Sequence, residues 1–217
     1  LKIIAPERLR KSIYGRLLGA VDLYQTDISE KGLKSNQHKL KHKGYNVLNQ
    51  VFTKRILNKL DSIIFNYLKL QGADLEKDII IEDLFAIDEN IEKMLNSESF
   101  IKVLASVNKK LKLDFAQYFD SKNNCQDQWK QEENCFKVFI AFTNFESNKT
   151  GINLFVGSHN KTISEAKIKV LEESNLAQSI ELNKMSTLIL NANTIHQIFR
   201  TGARSKMRFI ELTYRSE

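Results

Sequence analysis

The sequence of 217 residues predicts an α+β fold, with a helical first half and a β-rich second half whose strands close as a sandwich or barrel. Residues 54–70 and 97–110 carry apolar side chains at the spacing of amphipathic helices. From Leu113 onward the apolar runs become short and alternate with a period of two, which is typical of strands. Turn-forming clusters at 120–124 and 147–151 separate these runs. We therefore expect the helices to pack outside one sheet of a β core.

The first 43 residues are predicted to form a basic N-terminal extension. Residues 6–24 repeat apolar side chains at helical spacing among lysines and arginines, which indicates an amphipathic helix, and the polar residues 25–43 are expected to form a loop. Lys and Arg exceed Asp and Glu by 33 − 26 = 7, and the positive residues cluster in this extension. Such a helix packs on its own domain, on another protein or on a membrane surface. Nucleic acid is not expected, because no sheet face interleaves aromatic and basic residues.

Residues 44–217 are predicted to form one domain that opens with a strand at 44–52. Thr53 then suits the N-cap of the helix at 54–70, because its hydroxyl can accept a hydrogen bond from a free backbone N–H. Residues 164–173 are predicted to form a helical insert among the strands. The C-terminal stretch is expected to supply three further strands, at 187–191, 194–199 and 207–214.

Cys125 and Cys135 are too few for a disulfide framework, and neither belongs to a paired motif typical of structural zinc. We expect both to be free thiols in a reducing compartment. The sequence shows no apolar run approaching 18 residues and no signal-peptide pattern at its start. These features predict a soluble, cytoplasmic protein.

Two residues near the C-terminus are candidates for a functional site. Strand alternation places Arg208 on one face with Ile210, Leu212 and Tyr214. An arginine on an apolar face either binds an acidic ligand, pairs with an internal Asp or Glu, or extends its guanidinium to solvent from the edge of the sheet. His196 shares a face with Ile198, and it is either a core histidine or a metal ligand. If both lie on an inner face, Arg208 and His196 line one cavity at the mouth of the barrel.

Three segments, in this order, resemble the phytanoyl-CoA dioxygenase family of iron(II)- and 2-oxoglutarate-dependent oxygenases. The first is an entry strand and helix, the second a core strand followed by a turn that ends in Gly157-Ser158-His159, and the third the stretch that holds His196 and Arg208. The three segments are 44–63, 137–159 and 185–214.

The resemblance implies a double-stranded β-helix of the jelly-roll or cupin-like kind with the N-terminal helices packed outside. It also implies Fe(II) and 2-oxoglutarate as cofactors of an oxidoreductase that hydroxylates a small-molecule substrate. In that family an H-x-D pair and a distal histidine hold iron, and an arginine binds the far carboxylate of the keto acid. His196 resembles the distal ligand, and Arg208 resembles the cofactor-binding arginine. His159 resembles a turn histidine that bonds to the backbone.

The H-x-D motif is degenerate, because none of the four histidines has an aspartate two positions later. In one register Cys125-Gln126-Asp127 replaces the motif, so that Cys125, Asp127 and His196 are the candidate metal ligands. In the other register Lys130-Gln131-Glu132 replaces it, and a cation stands where an imidazole belongs. Two functions follow: a dioxygenase, or a catalytically inactive member that binds a ligand or a partner.

Overall fold

The computed structural model describes residues 2–3, 30–49, 51–95, 98–105, 111–146, 149–201 and 206–216. The helices in these ranges are α1 (Glu30–Lys43), α2 (Lys54–Leu70), α3 (Glu89–Leu95), α4 (Glu98–Ala105) and α5 (Glu165–Glu173). The strands are β1 (Lys2–Ile3), β2 (Tyr45–Leu48), β3 (Ile79–Ile81), β4 (Leu111–Ser121), β5 (Cys125–Gln126), β6 (Cys135–Ala141), β7 (Thr150–Leu154), β8 (Gln178–Ile180), β9 (Thr187–Asn191), β10 (His196–Arg200) and β11 (Met207–Ser216).

The strands form two sheets. The larger has seven strands in the order β1-β3-β4-β11-β6-β9-β2, and the smaller has four in the order β5-β10-β7-β8. Every described pairing is antiparallel except that of β1 with β3. The mixture of helices and antiparallel sheets agrees with the predicted α+β class and with a cupin-like fold.

Two apolar clusters lie on opposite faces of the larger sheet. On one face, buried residues of α2, α3 and α4 join strand residues such as Val138, Ile210 and Leu212. On the other face, residues such as Phe139 and Phe209 pack against Ile198 and other residues of the smaller sheet. Because neighbouring residues of a strand point to opposite faces, β11 contributes alternate side chains to the two clusters. We call these the helix-facing side and the inter-sheet side.

Helix α2 forms as predicted. Its apolar residues recur at intervals of three and four positions, and the Thr53 hydroxyl accepts a hydrogen bond from the backbone N–H of Ile56 at 3.3 Å. The predicted strand at 44–52 is shorter in the structure, spanning Tyr45–Leu48, and the predicted insert at 164–173 is α5. The predicted helix at 97–110 is described over Glu98–Ala105 as α4.

The prediction of a loop over residues 25–43 is wrong for Glu30–Lys43, which form α1. This helix is polar on most of its surface, and Leu40 is buried while Leu33 packs against the helix-facing cluster. Two leucines at a spacing of seven are a weak sequence signal, so packing on the domain stabilises a helix that the pattern did not predict. The predicted amphipathic helix at 6–24 lies outside the described residues. None of the described helices is long and apolar enough to cross a membrane.

Candidate functional site

His196 begins β10 and is completely buried. Its side chain lies on the inter-sheet side, like that of Ile198 two positions later. The Nδ1 atom is 2.8 Å from the carbonyl oxygen of Thr194, and because a carbonyl only accepts, Nδ1 carries the proton. Burial lowers the pKa of His196 to about 4. The imidazole is therefore neutral at pH 7, and its buried Nε2 has no hydrogen-bond partner among the described residues.

Lys130 lies directly opposite His196. The two residues exchange backbone hydrogen bonds, each with an N–H···O distance of 3.0 Å, and form an antiparallel bridge. Two residues paired in this way have their side chains on the same face of the sheet. In an extended chain the side chain two positions further on also points to that face. The structure thus brings Lys130-Gln131-Glu132 beside His196, which is the second of the two registers for the H-x-D motif.

A group of charges, two of them buried and one partly exposed, lies next to this bridge. The ammonium of Lys137 in β6 is 2.7 Å from Oε1 of Glu132 and 2.8 Å from Oε1 of Glu211 in β11. We call Glu132, Lys137 and Glu211 the interior charge cluster. Burial acts to lower the pKa of Lys137, but the two carboxylates outweigh it and raise the pKa. Glu132 has a lowered pKa, because hydrogen bonding to Lys137 outweighs burial.

His196 interacts electrostatically with this cluster. Lys137 and Lys130 act to lower the pKa of the imidazole, while Glu132 acts to raise it. With Lys137 charged and His196 neutral, the cluster contains one cation and two anions. The ammonium thus fills the position between the carboxylates that a metal ion would need.

Cys125 and Asp127 do not lie beside His196. Cys125 pairs with Arg200, which is four residues from His196 along β10. In an extended strand, four residues separate Arg200 from His196 by roughly 13 Å. The pKa of Cys125 is raised, mainly by burial, which favours the thiol over the metal-binding thiolate. Asp127 is about half exposed, and its carboxylate is 3.7 Å from the ammonium of Lys130. Their assignment as metal ligands remains a prediction that this geometry does not favour.

Arg208 lies on the helix-facing side of β11. Its guanidinium donates to the Tyr118 hydroxyl at 2.9 Å, forms an ion pair with Asp61 of α2 and approaches Asp120 at 3.6 Å. Of the alternatives for Arg208, the structure therefore contains the pairing with an internal acidic residue.

The expectation that Arg208 and His196 line one cavity is wrong. Alternation correctly placed Arg208 with Ile210 and Leu212, but their shared apolar face is covered by helices and not by the smaller sheet. His196 faces the space between the sheets, on the opposite side of β11. The apolar pattern of one strand cannot tell which of two packed layers covers each face.

Glu211 and Lys137 were missed as candidate residues. Lys137 is the only charged residue of β6, and Glu211 lies between apolar residues of β11, so their opposite signs were an available signal that the two strands pair. Arg200 was also missed; it is buried on the same face of β10 as His196. His159 matches the predicted structural role, because its Nε2 is 2.9 Å from the carbonyl oxygen of Lys41.

No protein-family model matches the chain, and comparison with curated proteins gave no match. Solved structures do match. The carbocyclase SnoK from nogalamycin biosynthesis, which is non-heme and alpha-ketoglutarate-dependent, shares 9% identity with a TM-score of 0.69, covering 89% of this chain and 87% of that one. EctD from S. alaskensis, crystallised with 2-oxoglutarate and 5-hydroxyectoine, shares 12% identity with a TM-score of 0.70, covering 90% and 80%.

HygX from Streptomyces hygroscopicus, with nickel and 2-oxoglutarate bound, shares 11% identity with a TM-score of 0.71, covering 84% of this chain and 86% of that one. For EvdMO1 the TM-score is 0.70, but the match spans only half of that chain. These proteins share the fold of this chain. At such low identity the likeness concerns the fold and leaves the site to be judged from its own residues.

The residues present do not fit the iron that this fold implies. A facial triad needs two imidazoles and a carboxylate, but beside His196 stand the cation of Lys130 and the ammonium of Lys137, which already engages Glu132. A divalent cation placed there would be repelled by Lys137 at short range. Across the part of the chain that the structure describes, no group of three or more His, Cys, Asp or Glu residues is arranged to hold a metal.

Proposed function

We propose that this protein is a metal-independent binding protein built on the fold of the 2-oxoglutarate-dependent oxygenases. The carrying observation is the interior charge cluster, in which the ammonium of Lys137 lies between Glu132 and Glu211 beside His196. A binding role is supported by recesses that can take a ligand, one lined by Trp129 and Gln197 and another lined by Tyr118 and Arg208. Oxygenase activity, in contrast, requires a metal triad.

The electrostatics of the cluster support this proposal. The raised pKa of Lys137 keeps its ammonium charged through the physiological range, so metal binding would have to break a buried ion pair. His196 supplies one neutral imidazole, but Lys130 occupies the paired position where a second imidazole would be needed. The competing function is an iron(II)- and 2-oxoglutarate-dependent dioxygenase, which the likeness of fold favours.

Anaerobic titration with Fe(II) and 2-oxoglutarate distinguishes the two functions. We expect no charge-transfer band in the visible range, and less than stoichiometric iron after dialysis against a mild chelator. The Lys130→His/Lys137→Met double variant is the comparison, because it removes two cations and adds an imidazole beside His196; it should bind Ni(II) more tightly than the parent. One iron per parent chain, together with the band and conversion of 2-oxoglutarate to succinate, would establish the oxygenase instead.

A further inference from the structure

A second candidate site lies on the opposite face of the smaller sheet from His196. Gln197 follows His196 along β10 and therefore points away from the inter-sheet side, as does Gln126, whose strand partner is Phe199. A cavity of about 560 Å³ lies between this face and α5. Its lining residues are Gln126, Asp127, Gln128, Trp129, Ile168, Lys169, Glu172 and Gln197. We call this cavity the outer groove.

The floor of the outer groove is polar and fixed by hydrogen bonds. Gln197 donates from Nε2 to the carbonyl oxygen of Asp127 at 2.8 Å, and Asn153 lies 3.5 Å from its Oε1. Asn153 in turn accepts a hydrogen bond of 2.6 Å from Ser179. A row of hydrogen-bonded polar side chains thus crosses this face of the sheet. A sheet face that is covered by a helix usually carries apolar side chains instead. The floor is therefore preorganised for a polar ligand and is poorly suited to tight helix packing.

Helix α5 forms a loosely held wall of the groove. Only Ile168 and Leu171 are half-buried, and the other described side chains of this helix are exposed. Val170 is 65% exposed, which shows how little of the helix surface packs against the sheet. A helix with so few buried contacts can shift at low free-energy cost, so the groove can adjust its width to a ligand.

The chemistry of the lining points to a neutral, polyhydroxylated ligand. Three glutamine amides supply both donors and acceptors, which suits hydroxyl groups because these also donate and accept. The charged lining residues each have an opposite charge nearby: Lys169 and Glu172 lie one turn apart, and Asp127 is 3.7 Å from Lys130, which does not line the groove, so no cluster of like charge selects an ion. The ring of Trp129 packs on Phe155 with centroids 4.6 Å apart, which holds an amphipathic aromatic surface in the wall.

We infer that the outer groove binds a neutral saccharide, with its hydroxyl groups on Gln126, Gln128 and Gln197 and its C–H face against Trp129. This inference rests on the proposed function, because it names a ligand for a binding protein. It uses none of the residues of the interior charge cluster. The two proposals can therefore fail separately.

Trp129 is the only tryptophan of the chain, so its fluorescence reports directly on the groove. The full chain would be titrated with cellobiose, maltose, lactose and N,N′-diacetylchitobiose, with glucose 6-phosphate and glucosamine as charged probes. N-acetyltryptophanamide controls for effects on free indole. We expect at least one neutral disaccharide to give a saturable change with a midpoint in the range of about 0.1–10 mM.

Two exposed groove residues and one exposed residue elsewhere provide matched variants. Gln126→Ala and Gln128→Ala should each weaken binding about fivefold, because each removes one amide partner. Gln71→Ala, at the end of α2, should leave binding unchanged. Trp129→Phe, followed by saturation-transfer NMR, should weaken binding without abolishing it.

Three results would overturn the inference: no saturable change with any neutral disaccharide, saturable binding of the charged sugars alone, or equal weakening by Gln71→Ala and the groove variants. The Fe(II) titration concerns the site at His196 between the sheets, so none of these three results changes its outcome.

Discussion

Lys137 is held between two carboxylates in the space between the sheets. Lys137→Met would leave the buried Glu211 beside the partly exposed Glu132 without a cation, and we expect this to lower the free energy of unfolding by about 3 kcal/mol, at the low end for a broken buried pair. The Lys137→Met/Glu211→Gln double variant should recover much of the loss, because it removes one of the two charges. Urea denaturation measures both.

Lys149→Met provides the control for this prediction. Lys149 also forms a lysine–glutamate pair, with Glu146 at 2.8 Å, but both side chains are more than half exposed. Solvent screens such a pair, so we expect no measurable change in stability. Equal effects of the two substitutions would show that the interior charge cluster contributes nothing specific.

His196 should make stability depend on pH in the mildly acidic range. Its pKa is about 4 in the folded chain because of burial, against an ordinary value of about 6.5. As the pH falls below 6.5, the unfolded chain takes up a proton at this position that the folded chain does not, so stability is lost down to about pH 4. Linkage gives a loss of about 2 kcal/mol at pH 5.

Urea denaturation between pH 7 and pH 5 tests this dependence. The His196→Gln variant should give a flatter stability curve than the parent over this range. In an NMR titration of the folded parent, the His196 ring signals should stay constant above pH 5. A midpoint above pH 6 would contradict a neutral, buried imidazole.

At the scale of elements, Arg208 and Asp61 connect α2 to the middle of the larger sheet. A double-mutant cycle with Arg208→Gln and Asp61→Asn should give a coupling free energy of about 1–2 kcal/mol, reduced from a fully buried value because both side chains are partly exposed. The exposed Arg215–Asp114 pair, at 2.7 Å, should show no measurable coupling. If Arg208 instead bound a keto acid, 2-oxoglutarate would stabilise the parent and not the Arg208→Gln variant, and the Asp61 substitution would be neutral.

Gly44 joins α1 to β2 at a position where a side chain has no room. Its φ is +82°, and an added Cβ would lie 2.2 Å from the Thr194 hydroxyl and 2.6 Å from Nδ1 of His159. Gly44→Ala should therefore lower the free energy of unfolding by about 2–4 kcal/mol, from left-handed backbone strain and from the clash. Gly72→Ala is the control, because φ is also positive but nothing lies within 4 Å. It should lose only about 1 kcal/mol, as measured by thermal or urea denaturation.

The sequence predicted those parts of the fold that depend on local pattern. The period of α2 and the alternation of β11 identified these elements because their apolar residues repeat in every turn or every second position. Helix α1 was missed because two leucines in a basic segment carry too little pattern to predict a helix.

The candidate site was predicted less well, because it depends on which layer covers each strand face. His196 is buried on an inner face, and its role as a metal ligand stays a prediction; the residues that surround it come from β6, β11 and the segment after β5. Pairing across distant strands is not visible in the spacing of one segment. The bridge between Lys130 and His196 favours the second of the two registers of the degenerate motif, and no spacing within the sequence indicated that bridge.

At the scale of the whole molecule, the position of β11 constrains how the chain can acquire its fold. This strand lies between β4 and β6, and without it the larger sheet separates into two three-stranded pieces, β1-β3-β4 and β6-β9-β2. Both pieces expose unpaired backbone edges until residues Met207–Ser216 have been synthesised. Ribosome-bound chains that end before Met207 should thus remain sensitive to protease. Chains that extend past Ser216 by a linker long enough to bring β11 out of the ribosome should become resistant. Protection of the shorter chains would contradict this order, whereas its confirmation would mean that the larger sheet stays incomplete, with two exposed strand edges, until β11 has emerged from the ribosome.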